Sequence, residues 1–280
     1  MSEPESSGGA RYRRVRLAVV PPFDARAHFG FLAARALAGF ERVEGLTYAR
    51  RVSAHSGSGW LRVTWHAGAL DIELPESAAP DDAQMLRRVH AVFDVSANSA
   101  VIDAALGADS RLAPLLGRGG GLRVPGAWSG YETALRAILG QQISVAAATR
   151  LAAHLMSCYG ADVFTDPAIL AEASLNGLRM PTRRAAALQA LARAVASGAL
   201  LLDPDQADVP RTLLQLQALP GIGPWTAGYI GMRVLKDTDA WPDNDWVLVR
   251  RLAARAAESR RVSRAWSPWR AYAVMYLWRG

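Results

Sequence analysis

Leu219-Pro220-Gly221-Ile222-Gly223-Pro224-Trp225-Thr226-Ala227 sets two glycines and two prolines between two runs with helical periodicity. Residues 211–219 read as a helix before the turn, and residues 224–235 as a helix after it. The glycines allow a tight turn whose backbone N–H groups are exposed where the second helix begins. Such donors suit a phosphate, because the first helical turn leaves N–H groups unpaired at the positive end of the dipole. Pro224 fits the first helical position, where its missing N–H costs nothing. Two helices joined by this hairpin can grip a nucleic-acid backbone without reading bases. An ordinary packing turn between helices would look the same, so the surroundings have to decide.

The chain has 280 residues, 51% of them hydrophobic, enough for a sizeable core in two or more lobes. Its formal net charge is +7, from 32 Lys+Arg against 25 Asp+Glu, and Lys236 is the only lysine. A basic surface attracts polyanions, and arginine suits bidentate contact with phosphate. A GC-rich genome also favours Arg codons, so charge points only weakly to nucleic acid. The single cysteine, Cys158, excludes a disulfide scaffold, a Cys-rich zinc site and a four-cysteine iron–sulfur cluster. The five histidines never fall at a close ligand spacing. No apolar run reaches the ~20 residues of a bilayer span, and residues 1–14 lack a secretory apolar core. The expectation is a soluble, cytoplasmic protein, monomeric and without a membrane partner.

Residues 1–10 read as a disordered lead-in. Strands are expected at 16–20, 46–54, 60–66 and 69–74, with Leu61, Val63 and Trp65 alternating against Arg62, Thr64 and His66. A helix capped by Asp24 lies between the first two, with Phe29, Phe31, Leu32, Ala36 and Phe40 as its apolar stripe. Together these predict an α+β lobe over residues 11–78 built on an antiparallel sheet. From 79 to 280 the pattern is helical, with helices at 81–92, 98–106, 130–139, 144–158, 167–175, 182–197, 211–219, 224–235, 245–257 and 265–278. This predicts an all-α region of two lobes with the hairpin near their junction.

Three groups of residues could carry chemistry. Asp245 precedes the helix that begins Trp246-Val247-Leu248, which makes it a good N-cap and keeps a carboxylate at the positive end of a dipole. Asp243 is the competing carboxylate. Six of the nine tryptophans follow residue 224, and Trp225 and Tyr229 share one helix face. They could be core, or a π-rich pocket for an extruded base. Gly140-Gln141-Gln142-Ile143-Ser144 breaks two helices with polar residues, either as a simple break capped by Ser144 or as a wedge entering a base stack.

With these residues in view, the chain resembles the helix-hairpin-helix DNA glycosylases, and among them the AlkA-type 3-methyladenine-DNA glycosylase II. The resemblance rests on Leu219–Ala227 with Asp245, on Arg136–Val145, on Trp266-Ser267-Pro268-Trp269-Arg270-Ala271-Tyr272-Ala273, and on Pro21–Asp24 with Phe31–Ala36. It runs from about residue 16 to the C-terminus. It implies that Asp245, rather than Asp243, is the catalytic carboxylate. It further implies that Trp225, Tyr229, Trp246, Trp278 and Phe31 line a base pocket. Gly221, Ile222, Gly223 and Thr226 would meet the DNA backbone, and Gln142 would be the wedge, polar where some members are apolar.

In the bifunctional glycosylase/lyases a lysine stands at the position of Trp225, so the resemblance implies a monofunctional enzyme. The implied partner is double-stranded DNA with damaged bases, and the implied substrates are alkylated purines of the 3-methyladenine and 7-methylguanine type. No cofactor is expected beyond a monovalent cation that the hairpin could hold. The rivals are a catalytically silent DNA-binding protein and a glycosylase for deaminated or oxidised bases.

Overall fold

The computed structural model describes residues 11–54, 57–175, 178 and 180–280. The expected lead-in over residues 1–10 lies outside them, as do His55 and Ser56. The N-terminal part is a five-stranded antiparallel sheet of β1 (Tyr12–Ala18), β2 (Glu41–Glu44), β3 (Thr47–Ala54), β4 (Gly57–His66) and β5 (Ala69–Pro75). Its order is β1-β5-β4-β3-β2. Strands β2 to β5 form a meander, and the first strand closes on the last with Val15 opposite Ile72 and Leu17 opposite Leu70. The alternation in β4 holds: Leu61 and Val63 are fully buried, while Arg62 and Thr64 face the partly solvated side.

Strand β2 was not expected from the sequence. Its four residues, Glu41-Arg42-Val43-Glu44, offer one apolar side chain and no propensity signal. It forms because the turn at Gly45, whose φ is 58°, folds it back onto β3, with Val43 opposite Tyr48. Helix α1 (Ala25–Ala33) is capped by Asp24, whose Oδ1 accepts from Ala27 N at 3.0 Å. The helix ends before Ala36 and Phe40, which belong to the following turn. Helix α2 (Asp82–Phe93) lays Met85, Val89, Val92 and Phe93 against the sheet and Phe29. The core of the sheet thus draws on residues past 78, and on Trp128.

The rest of the chain is helical: α3 (Ser99–Gly107), α4 (Ala113–Leu116), α5 (Gly130–Leu139), α6 (Val145–Tyr159), α7 (Pro167–Glu172), α8 (Thr182–Ala196), α9 (Val209–Ala218), α10 (Pro224–Arg233), α11 (Trp246–Arg251), α12 (Ala256–Ser263) and α13 (Arg270–Arg279). Two cores result. One gathers α5 to α10 around Leu135, Ile138, Leu188 and Leu191, and the other gathers α3 and α13 with Trp241 and Trp266. The helix expected over 245–257 is two, α11 and α12, because Ala253 turns into the left-handed region at φ 47°. The last helix begins at Arg270, not 265, since Pro268 disfavours helical backbone at Ser267. Among the described residues no helix is long and apolar enough to cross a membrane.

Where the sheet meets α5 the chain buries four charges. Arg50, 1% exposed, reaches Glu41 at 3.0 Å and Glu132 at 2.5 Å. Arg136 reaches the same two carboxylates at 2.8 and 2.7 Å. Ion pairs of this kind cost desolvation and repay it only when every partner is present. Arg136 also donates to the backbone oxygen of Arg35, which holds the turn after α1 against α5.

Candidate active site and nucleic-acid interface

The hairpin is α9, the turn 219–223 and α10. Gly221 has φ +80°, and a Cβ there would lie 2.8 Å from the Ala187 Cβ, so both backbone and space call for glycine. Gly223 is extended and exposed, and it precedes Pro224 at the first position of α10. As at any helix start, the first N–H groups of α10 have no partner within the helix. Ile222 and Thr226, by contrast, bury their side chains to 4% and 2% exposure, so only their backbone can face a ligand. The Gly221 carbonyl accepts from Gln141 Nε2 at 2.9 Å and the Leu219 carbonyl from Ile222 N at 3.2 Å. Those hairpin carbonyls meet the chain's own donors. Among the described residues, no three His, Cys, Asp or Glu side chains gather as a metal site.

Asp245 is placed by the contact of the hairpin with the loop before α11 and by a turn within that loop. Gly228 on α10 brings the helix onto that loop, where a Cβ would lie 2.5 Å from the Trp241 carbonyl. Asn244 then takes a left-handed φ of 63° and turns the chain into α11. Asp245, 7% exposed, accepts from Val247 N and Leu248 N at 2.9 and 3.0 Å through Oδ1, the N-cap expected from sequence. Two further donors come from the aromatics: Trp225 Nε1 to Oδ2 at 2.8 Å and Trp278 Nε1 to Oδ1 at 3.2 Å. Four N–H groups therefore fix one carboxylate that lines the cavity. Asp243 does not line the cavity and pairs with Arg260 on α12 at 2.9 Å.

The aromatics assemble around this carboxylate. Tyr229 stacks on Trp225 at 5.5 Å and 22°, and meets Trp278 at 6.1 Å and 35°. Phe31, from α1, faces the same cavity. Trp246 differs from the others: it is 69% exposed, stands at the rim and has the Arg250 guanidinium 5.2 Å from its ring.

Two arginines behind the aromatics were missed in the sequence. Arg233 Nη1 donates to the Tyr229 hydroxyl at 2.6 Å, while its other nitrogens donate to the backbone oxygens of Pro125 and Gly126. Arg35 lies 3.6 Å over the Phe31 ring. Burial pushes the Tyr229 hydroxyl up, but Arg233 and Arg35 together outweigh it and hold the group below the ordinary tyrosine range. Arg233 could have been noticed, four residues past Tyr229 on the face that carries Trp225. For Arg35 the only hint was its place four residues after Phe31.

Gln142 is exposed with a left-handed φ of 59°, at the tip of the break between α5 and α6. Its neighbour Gln141 bonds the hairpin twice, at Gly221 O and at Thr226 Oγ1, both 2.9 Å. Arg184 holds the Gln141 carbonyl at 2.6 Å. Two hydrogen bonds thus tie the break to the hairpin, and a third ties it to α8. A cavity of about 1400 Å³ runs from Gln142 past the hairpin to Asp245 and Tyr229. Drug-sized ligand pockets span about 300–1,000 Å³, and this one is larger.

Two family models cover most of the chain: residues 14–129 match the AlkA N-terminal domain, and residues 135–268 match the HhH-GPD superfamily of base excision DNA repair proteins. The chain is also 34% identical over 274 residues to DNA-3-methyladenine glycosylase 2 of Escherichia coli (strain K12), covering 92% of this chain and 94% of that protein. The chain belongs to the AlkA branch of the HhH-GPD superfamily. A further relative of this AlkA-branch protein is a probable bifunctional transcriptional activator/DNA repair enzyme AlkA of Mycobacterium tuberculosis, 37% identical over 281 residues. That match covers 94% of this chain but 56% of the relative. Its fold is shared with a 3-methyladenine DNA-glycosylase of Archaeoglobus fulgidus, with a TM-score of 0.76 at 18% identity, covering 95% and 96% of the two chains.

Proposed function

We propose that this protein is a monofunctional DNA glycosylase that extrudes alkylated purines, of the 3-methyladenine and 7-methylguanine type, from double-stranded DNA and hydrolyses the base–sugar bond. The observation that carries the proposal is the Asp245 carboxylate, fixed by two indole and two backbone N–H groups inside an aromatic cavity beside the hairpin.

The hairpin amides would hold the phosphate backbone and Gln142 would enter the stack, carried into place by the Gln141 bonds. Flipping costs a few kcal/mol and least for a weakened pair, so damaged bases are favoured before any pocket contact forms. An N-alkylated purine is positively charged and leaves without a general acid. When the C1′–N bond breaks, the electron pair goes to the base and positive charge gathers on the sugar. Asp245 opposes that charge and orients the water that adds at C1′, whose proton is released as the bond forms. One preorganised electrostatic partner is worth about 3–4 kcal/mol, or roughly 10²–10³ in rate.

The monofunctional reading rests on amines. A lyase step needs a nucleophilic amine at C1′; Trp225 stands at the position in question. Lys236, the only lysine, is exposed past the end of α10 and does not line the cavity. The test is base release from methylated duplex DNA resolved by base identity, with strand integrity followed in parallel. Release of methylated purines with intact strands supports the proposal; strand breaks without added alkali or lyase contradict it.

A further inference from the structure

The aromatic cavity carries more positive charge than a receptor for cationic bases calls for. Arg35 and Arg233 both line it. Among the described residues neither forms an ion pair with a carboxylate, while Glu41 and Glu132 are taken by Arg50 and Arg136. Arg233 points its Nη1 at the Tyr229 hydroxyl, and Arg35 occupies a face of Phe31 at 3.6 Å, with Arg233 4.9 Å from the same ring. A π-face already covered by the chain's own guanidinium is not free for a cationic ligand, and two uncompensated cations behind the stack repel one.

We propose that Arg35 and Arg233 form a cationic back wall, behind Tyr229 and Phe31, which sets how the enzyme divides its activity between positively charged and neutral purines. This inference rests on the glycosylase reading above and adds the residues that control selectivity. The wall meets the stack at the Tyr229 hydroxyl, whereas Asp245 meets it at the Trp225 and Trp278 indole N–H groups. Electrons leaving the C1′–N bond therefore move toward positive charge, and the sugar cation forms beside negative charge. For a neutral purine the departing base becomes an anion until it takes the proton released by the attacking water. The wall stabilises that anion directly. For an alkylated base already carrying positive charge, the wall weakens binding before the bond breaks. The arrangement thus raises neutral-base excision and restrains cationic-base excision.

The test uses two duplexes of one sequence, carrying a single 7-methylguanine or a single hypoxanthine. Single-turnover release at subsaturating protein, a rate that includes both binding and bond cleavage, is measured for the wild-type protein and for Arg35→Gln, Arg35→Met and Arg35→Lys. Arg35→Met keeps an apolar stem over Phe31, so it serves if Arg35→Gln unfolds. Removing one charge at this range raises the ratio of cationic to neutral release about tenfold in Arg35→Gln and Arg35→Met. Arg35→Lys, which retains the charge, keeps the wild-type ratio. Equal losses on both duplexes, the signature of a structural role, overturn the proposal, as does wild-type protein that releases only the cationic base. Wild-type protein that releases neither base contradicts the glycosylase reading itself, a result distinct from an unchanged ratio.

Discussion

Glu132→Gln is a small change in shape with a large electrostatic consequence. The Glu132 carboxylate is 4% exposed and receives Arg50 at 2.5 Å and Arg136 at 2.7 Å. With Glu41 the four groups sum to zero charge; the amide leaves one net positive charge buried between β3 and α5. Breaking a buried ion pair from one side costs about 3–5 kcal/mol, because the remaining charge keeps its desolvation penalty. For a chain of this size that lowers Tm by about 10 °C. Urea unfolding followed by tryptophan fluorescence measures the free energy. The double variant Glu132→Gln/Arg50→Met removes the stranded charge and recovers at least half of the loss, which a double-mutant cycle isolates. A loss below about 1 kcal/mol for the single variant, or no recovery in the double, would refute the claim that this cluster balances its charge internally.

Three further outcomes follow from named contacts. His28 is buried and neutral, its pKa lowered by burial to about 3, while burial raises Asp94 to about 6 against the hydrogen bond from Tyr272. Between pH 6 and 5 the unfolded chain carries a proton at His28 that the native chain lacks, and the native chain carries much of one at Asp94 that the unfolded chain lacks. The two slopes oppose, and wild-type stability stays nearly flat. Asp94→Asn removes the compensating group and loses about 1.4 kcal/mol per pH unit in that window, read by urea unfolding at each pH. Gln141→Ala frees the Gln142 loop from the hairpin. The Kd for a duplex with a non-cleavable abasic analogue rises about tenfold, the worth of two hydrogen bonds. Gly228→Ala drives a methyl into the Trp241 carbonyl, costs about 1–3 kcal/mol and slows excision by moving the Asp245 loop, which paired unfolding and single-turnover assays separate.

Local signals were legible wherever one face of an element had one environment. The alternation in β4, the Asp24 and Asp245 caps, and the Trp225/Tyr229 spacing all fall in that class. Strand β2 was not legible, because its four residues are made a strand by the turn at Gly45 and by β3. Ala253 ended α11 without a glycine or proline to mark the break. Within the candidate site, Asp245, Trp225 and Tyr229 could be read from sequence, whereas the bond from Trp278 to Asp245 spans 33 residues and exists only through tertiary packing. Arg35 meets Tyr229 across the join of two lobes, and no periodicity reports such a contact. The exposure of Trp246 was equally hidden, since a tryptophan at the start of a helix reads as pocket or core.

The role given to Asp245 bears the most weight, and Asp245→Asn tests it directly. The new amide oxygen can still accept from Val247 N and Leu248 N, so the cap persists while the charge and the Trp225 bond to Oδ2 are lost. Single-turnover release of 7-methylguanine should fall by at least about 10²–10³-fold, with the Kd for a non-cleavable abasic duplex unchanged within a few-fold. Release within about threefold of wild type, at the same affinity, would contradict the account.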